Sequence, residues 1–104
     1  MAQTTEVNKR IWTRIRSLNT FIHDLPGLEE EWSSIPSGVQ SSFSLEWDQL
    51  MTEDIQELTE CYNLGELTEA QRSSYRELLH ELKEVMPIVE KLNWHRPSVP
   101  VDIA

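Results

Sequence analysis

Apolar residues recur at steps of three and four through most of this chain, a period that is typical of amphipathic helices. The first stripe of this kind consists of Val7, Ile11, Ile15, Leu18, Ile22 and Leu25. No segment alternates apolar and polar residues over the length of a strand. With 104 residues, the chain is long enough for three or four helices around one core. The pattern therefore predicts a single all-α domain.

Two helices are predicted in the first third of the chain. Helix one should cover about Thr5 to Asp24, because the sequence Leu25-Pro26-Gly27 is typical of a helix end. Pro26 should then be the first residue of a short second helix. Three apolar residues would share one face of that short helix, namely Leu28, Trp32 and Ile35.

A long third helix is predicted from about Ser37 to Asn63. Its apolar stripe shifts around the helix axis near Thr52. Such a shift indicates either supercoiling or a break at which Thr52 caps a new helix, and the sequence does not separate the two. Leu64-Gly65 then ends the helix, since glycine readily adopts the left-handed conformation of a helix cap.

Helix four should begin at Thr68, because Thr68 and Gln71 have the spacing of a capping box. Pro87 lacks the amide that would bond the Lys83 carbonyl, so we expect a kink or an early end there. Residues 95–104 contain two prolines and no helical period, which predicts an extended tail. The predicted fold is thus a small antiparallel bundle of three long helices plus one short helix over residues 1–94, followed by that tail.

Basic residues are missing from half of the chain. Residues 17–71 contain no Lys and no Arg but hold twelve carboxylates, and the net charge of the whole chain is −9. Nucleic acids and anionic membranes attract proteins through Lys and Arg, so this charge argues against both as partners. An acidic protein is attracted instead to basic protein surfaces.

Four glutamates of helix three form a row beside its apolar stripe. The row spans about 21 Å of helix. Its members are Glu46, Glu53, Glu57 and Glu60. Like charges at three- and four-residue spacing repel each other, and no lysine within this helix offsets them. The row therefore needs cations from elsewhere in the chain or from another molecule.

Helix one offers one source of cations, namely Lys9, Arg10, Arg14 and Arg16. These residues would face the glutamate row across the bundle. Arg14 and Asp54 each interrupt the apolar stripe of their own helix, where a charge needs a partner. The sequence therefore predicts an Arg14–Asp54 ion pair.

A basic partner protein is the second source, and the two explanations are compatible because four bases cannot neutralise twelve acids. Trp12 projects away from the helix-one stripe. Exposed tryptophan is favoured at binding interfaces, although Trp12 could equally cover the short second helix or the tail. The predicted partner-binding residues are Glu29, Glu30, Glu31, Glu46, Glu53, Glu57, Glu60 and Trp12.

The sequence shows no pattern typical of catalysis or of a bound cofactor. Glu77 and His80 have the Glu-x-x-His spacing of di-iron sites, but His80 lies opposite the apolar stripe and a second such motif is lacking. Cys61 falls on the apolar face of helix three, where burial raises the pKa of a thiol and makes it unreactive. We therefore expect no metal, no cofactor and no enzyme activity.

Two features predict a cytoplasmic location. Cys61 is the only cysteine and cannot form an intrachain disulfide, which favours a reducing compartment. The longest continuous apolar run, residues 85–89, is far shorter than a signal peptide or a membrane span.

The first functional hypothesis is a non-enzymatic module that docks on a basic partner protein and blocks it. Immunity proteins, antitoxins and other inhibitors share its small size, acidity and helical character, but this analogy concerns charge and size alone. The alternative is a structural subunit or assembly factor that forms a homodimer or larger oligomer through helical apolar faces. A metal-dependent enzyme is a third hypothesis and would require stoichiometric metal in the purified protein.

Overall fold

Three helices make up the part of the chain that the computed structural model describes, residues 3–94. The first is α1, the second is divided into α2, a π-helical turn and α3, and the third is α4. Their bounds are Thr5–Glu31 for α1, Ser37–Gln49 for α2, Leu50–Asp54 for the π-helical turn, Ile55–Asn63 for α3 and Glu69–Lys91 for α4. No strand occurs in residues 3–94, so the all-α prediction is confirmed. The predicted tail at 95–104 lies outside the described residues.

The short second helix was predicted wrongly. α1 does not end at Asp24 but continues through Pro26 to Glu31, and a single 3₁₀ turn at Trp32–Ser34 follows. Proline removes one backbone hydrogen bond from a helix, but it does not prevent helical angles when packing holds the chain on both sides. Leu25 is fully buried and Leu28 packs against the core, so tertiary contacts outweigh the local preference to stop.

The predicted break with Thr52 as a cap was also wrong. The helix does not break there, because a π-helical turn at Leu50–Asp54 joins α2 to α3. Within it, the Ile55 amide bonds the Leu50 carbonyl, five residues back. The wider turn rotates the residues that follow it and so moves the apolar stripe. Thr52 is no cap, since its hydroxyl donates to the Asp48 carbonyl at 2.8 Å.

α4 begins as predicted and continues past the point where an early end was expected. The Gln71 amide donates to the Thr68 hydroxyl at 3.2 Å, and the Thr68 amide donates to the Gln71 side chain at 3.0 Å, which completes the capping box. Pro87 lies within α4 and is exposed. Its neighbours Val85, Met86 and Val89 are buried, and this packing keeps the segment helical.

Buried side chains from all three helices form one continuous core. The fully buried members with the largest volumes are Ile11, Leu18, Ile22, Leu25, Trp47, Met51, Ile55, Leu58, Tyr75, Leu78, Leu79 and Leu82. Four of the six residues of the first predicted stripe are among them: Ile11, Leu18, Ile22 and Leu25. α2 contributes least, since Trp47 is its only buried residue.

An aromatic cluster closes one end of this core. Trp94 lies within 6 Å, centroid to centroid, of Phe21, Trp32 and Trp47. The chain reaches this position through Asn93, which has a positive φ of 60°. Because the Trp94 amide bonds the Val89 carbonyl, the end of α4 is a Schellman motif that turns Trp94 back onto the helices.

Candidate partner-binding surface

Cations of α1 do reach the glutamate row. Arg14 donates to Asp54 at 2.7 Å and also pairs with Glu57. Arg10 binds the other oxygen of Glu57 at 2.9 Å. The structure thus contains the Arg14–Asp54 ion pair, and it places Glu57, a predicted partner-binding residue, in contact with two arginines of its own chain.

The surroundings of Asp54 nevertheless disfavour the charged form of its carboxyl group. Burial raises the pKa of Asp54 above its usual 3.8, although the charge and hydrogen bond of Arg14 lower it; Glu53 and Glu57 raise it further. Removal from water therefore outweighs the ion pair. This half-buried carboxylate has an internal structural role and is not part of a free acidic surface.

Three glutamates of the row remain without a cation from the described residues: Glu46, Glu53 and Glu60. All three are exposed. The Gln49 side-chain amide approaches Glu53 at 3.4 Å, a weak neutral contact. Arg10 and Arg14 therefore neutralise only one member of the row.

The acidic triplet that ends α1, Glu29, Glu30 and Glu31, also has one member with a cation and two without one in residues 3–94. Glu29 is half-buried and pairs with Lys91 of α4 at 3.5 Å. Glu30 and Glu31 are exposed and form no ion pair within residues 3–94. Glu31 of α1 and Glu46 of α2 both line a groove that the sequence did not reveal.

That groove, of about 580 Å³, separates the C-terminal half of α1 from α2. Three apolar side chains line it, Phe21, Leu28 and Phe43. Its remaining lining residues are Arg16, Ser17, Thr20, Asp24, Gly27, Glu31 and Glu46. We call these ten residues the acidic groove. They belong to one site only because α1 continues past Pro26, so the predicted stop at Asp24 concealed it.

Trp12 lies away from the acidic groove. It is partly buried and packs against the core. Together with His23 and Ser74 it lines a separate hollow between α1 and α4. Its own chain therefore covers much of the side chain, but the hollow is formed with α4 and not with the predicted short second helix.

Cys61 and His80 both lie near carboxylates of their own chain. Burial raises the pKa of Cys61, and the nearby carboxylates, first Glu66, raise it further. His80 is exposed and contacts Glu84 at 3.2 Å. Within residues 3–94, no three His, Cys, Asp or Glu side chains are arranged to hold a metal ion.

Comparisons with known proteins found no matching family model, curated protein or solved structure. None of the helices within residues 3–94 combines the length and apolar content needed to cross a membrane. Functional inference therefore depends on the surface of the molecule itself.

Proposed function

We propose that this protein is a non-enzymatic binding module whose acidic surface docks on a basic partner protein and blocks it. The observation that supports this most directly is the incomplete neutralisation of the glutamate row. Glu46, Glu53 and Glu60 are exposed and have no cation within residues 3–94, whereas Glu57 has two.

A basic partner would offset a repulsion that the fold leaves in place. Carboxylates that stay close together without a cation repel each other, and a complementary surface relieves that repulsion on binding. Exposed charges of one sign also speed encounters with a surface of the opposite sign, most strongly at low salt. An inhibitor that must find and cover a basic site benefits from both effects.

Capture from a native lysate of the source organism tests this function. The tagged full-length protein is compared with Glu46→Lys/Glu53→Lys, which reverses two charges of the row. The matched control is Glu77→Lys/Glu84→Lys, which reverses two exposed charges at the same seven-residue spacing on α4. Each protein is washed at low and at high NaCl concentration, and captured proteins are identified by mass spectrometry.

The proposal predicts a basic protein that the wild type and the α4 control retain at low salt. The same protein should be lost at high salt and lost with Glu46→Lys/Glu53→Lys. Capture that is indifferent to salt and to the reversal of Glu46 and Glu53 would show that the row is not the binding surface.

Self-association remains the second candidate because of one observation on α2. Val39 is 46% exposed and Leu45 is 69% exposed, and both are large apolar residues of a helix with one buried side chain. The two lie about 120° apart around the helix, so a homodimer that packs against α2 would bury one or both of them. Light scattering tests it, since a dimer requires a concentration-dependent mass above 12.2 kDa and a strict monomer excludes it.

A further inference from the structure

We propose that the acidic groove binds a basic amphipathic α-helix of a partner protein. This inference depends on the proposed function and specifies where the partner inserts and what chemistry it brings. The groove shares Glu46 with the glutamate row but differs from it, because it also contains apolar residues, and Glu53, Glu57 and Glu60 do not line it.

The apolar residues of the groove are suited to anchor side chains. Phe21 is buried on its inner side against Trp47 and Trp94, with centroid distances of 5.8 Å and 5.9 Å, so it belongs to a firmly packed cluster. Leu28 and Phe43 are partly buried and pack against the same core. An apolar side chain inserted between them would extend the core and leave water.

The charges around these apolar residues favour a positively charged partner. Asp24, Glu31 and Glu46 are exposed, line the groove and form no ion pair within residues 3–94. Lys and Arg on the flanks of a bound helix would meet these carboxylates. Arg16 also lines the groove, so the lining holds three carboxylates and one cation.

The walls of the groove favour a helix over an extended peptide. Both walls are helices, whose backbone groups are used in their own hydrogen bonds, so they cannot bond the backbone of an extended chain. The backbone groups of a helical peptide form hydrogen bonds within the peptide itself and need no partner from the groove walls. Residues 16–31 extend over about 22 Å of α1, the length of a helix of about 15 residues.

Gly27 lines the groove and faces open space. A Cβ atom at this position would meet no other atom within 4 Å. Glycine inside a helix costs about 0.5–1 kcal/mol relative to alanine, so this residue reduces the stability of α1. A larger side chain at position 27 would occupy the space that we assign to the partner.

Binding of synthetic helical peptides to the full-length protein provides the test. The first peptide has about 15 residues, with Leu at helix-face positions and Lys elsewhere. A second keeps the lysines and replaces the leucines by alanine, and a third keeps the leucines and replaces the lysines by glutamate. Gly27→Leu fills the groove, and Gly38→Leu is its matched control, because Gly38 also has open space around it but lies outside the groove.

We expect the Leu/Lys peptide to bind at least about tenfold more tightly than either of the other peptides. Gly27→Leu should abolish this preference and Gly38→Leu should leave it unchanged. If circular dichroism shows that Gly27→Leu is unfolded, Asp24→Lys/Glu31→Lys replaces it and should abolish binding of the Leu/Lys peptide. Equal binding of the Leu/Lys and Ala/Lys peptides, or unchanged binding to the folded groove variant, would overturn the inference.

A photo-crosslinking residue in place of Ser17, an exposed residue of the groove lining, identifies what occupies the groove. Crosslinks to the Leu/Lys peptide support the proposal. Crosslinks to a second copy of the protein, or to residues 95–104 of the same chain, that persist with excess peptide would overturn it. If lysate capture still depends on Glu46 and Glu53 while Gly27→Leu has no effect on it, the groove inference fails and the proposed function stands.

Discussion

Arg14 is held by two carboxylates of another helix and links α1 to the π-helical turn and α3. Its side chain is 25% exposed, and that of Asp54 is 16% exposed, so water screens the pair only in part. An ion pair at the surface contributes little to stability, whereas the loss of one partner from a half-buried pair leaves the other charge uncompensated. Arg14 therefore contributes to stability more than the other cations of α1 do.

We predict that Arg14→Met lowers the free energy of unfolding by about 1–3 kcal/mol, since Asp54 and Glu57 lose a charged hydrogen-bond donor. Urea denaturation at neutral pH measures this change. Arg16→Met is the control, because Arg16 is exposed and forms no ion pair within residues 3–94. Equal effects of the two substitutions would contradict a structural role for the Arg14 pair.

The raised pKa of Asp54 predicts how the free energy of unfolding depends on pH. Burial raises the pKa of Asp54 above 3.8 in the folded chain, so the folded state binds the proton more tightly than the unfolded state does. The stabilisation from this group is therefore complete below pH 3.8 and is lost as the pH rises through the raised pKa. Asn at this position cannot ionise, and Asp54→Asn should show a smaller loss of stability over that pH range.

Chemical denaturation of wild type and Asp54→Asn at successive pH values above 3.8 measures the difference. The quantity to compare is the gap between the two unfolding free energies, which should change in favour of the variant as the pH rises. A constant gap would mean that Asp54 titrates alike in the folded and unfolded chains.

At the scale of the elements, two glycines occupy opposite conformations. Gly27 lies inside α1, whereas Gly65 follows α3 with a positive φ of 70°. The Glu66 amide bonds the Cys61 carbonyl across Gly65, which forms a Schellman motif. The same substitution should therefore have opposite effects at the two positions.

Gly27→Ala should raise the free energy of unfolding by about 0.5–1 kcal/mol, because alanine favours the helix and its Cβ has free space. Gly65→Ala should lower it by about 1 kcal/mol, because a Cβ atom strains the left-handed conformation. Thermal unfolding followed by circular dichroism measures both. A destabilising Gly27→Ala would contradict the open space described around position 27.

The elements show which parts of the fold could be read from the sequence. Periodicity located the three helices, and the spacing of Thr68 and Gln71 located the start of α4, because these signals are local. The stop at Pro26 was predicted wrongly because Leu25-Pro26-Gly27 carries only a local preference to end a helix, and the packing that outweighs it depends on the whole fold. The π-helical turn was missed because the sequence showed only that the stripe shifts, and several backbone geometries produce the same shift.

The end of α4 carried a signal that was overlooked. Asn93 follows the last residue of the apolar period, and asparagine tolerates the left-handed conformation that ends many helices. That residue could have predicted that Trp94 turns back onto the core. The acidic groove had no such signal, since it depends on how α1 and α2 diverge.

At the scale of the whole molecule, the net charge of −9 predicts how salt affects the fold. Self-repulsion opposes the compact state, and salt screens it. The midpoint of thermal unfolding should therefore rise between about 0.02 and 0.3 M NaCl. A midpoint that falls over this range would mean that ion pairs such as Arg14–Asp54 outweigh the repulsion, and would weaken the argument that negative charge remains unneutralised.

The most direct test of the whole account is the affinity of a captured basic partner for the two charge-reversal variants, measured by titration calorimetry with purified proteins. The account predicts that Glu46→Lys/Glu53→Lys raises the Kd by about tenfold or more, and that Glu77→Lys/Glu84→Lys, with the same change in net charge, raises it by much less. Equal weakening by both variants would show that only net charge affects binding. It would contradict a docking surface on the helix that α2, the π-helical turn and α3 form.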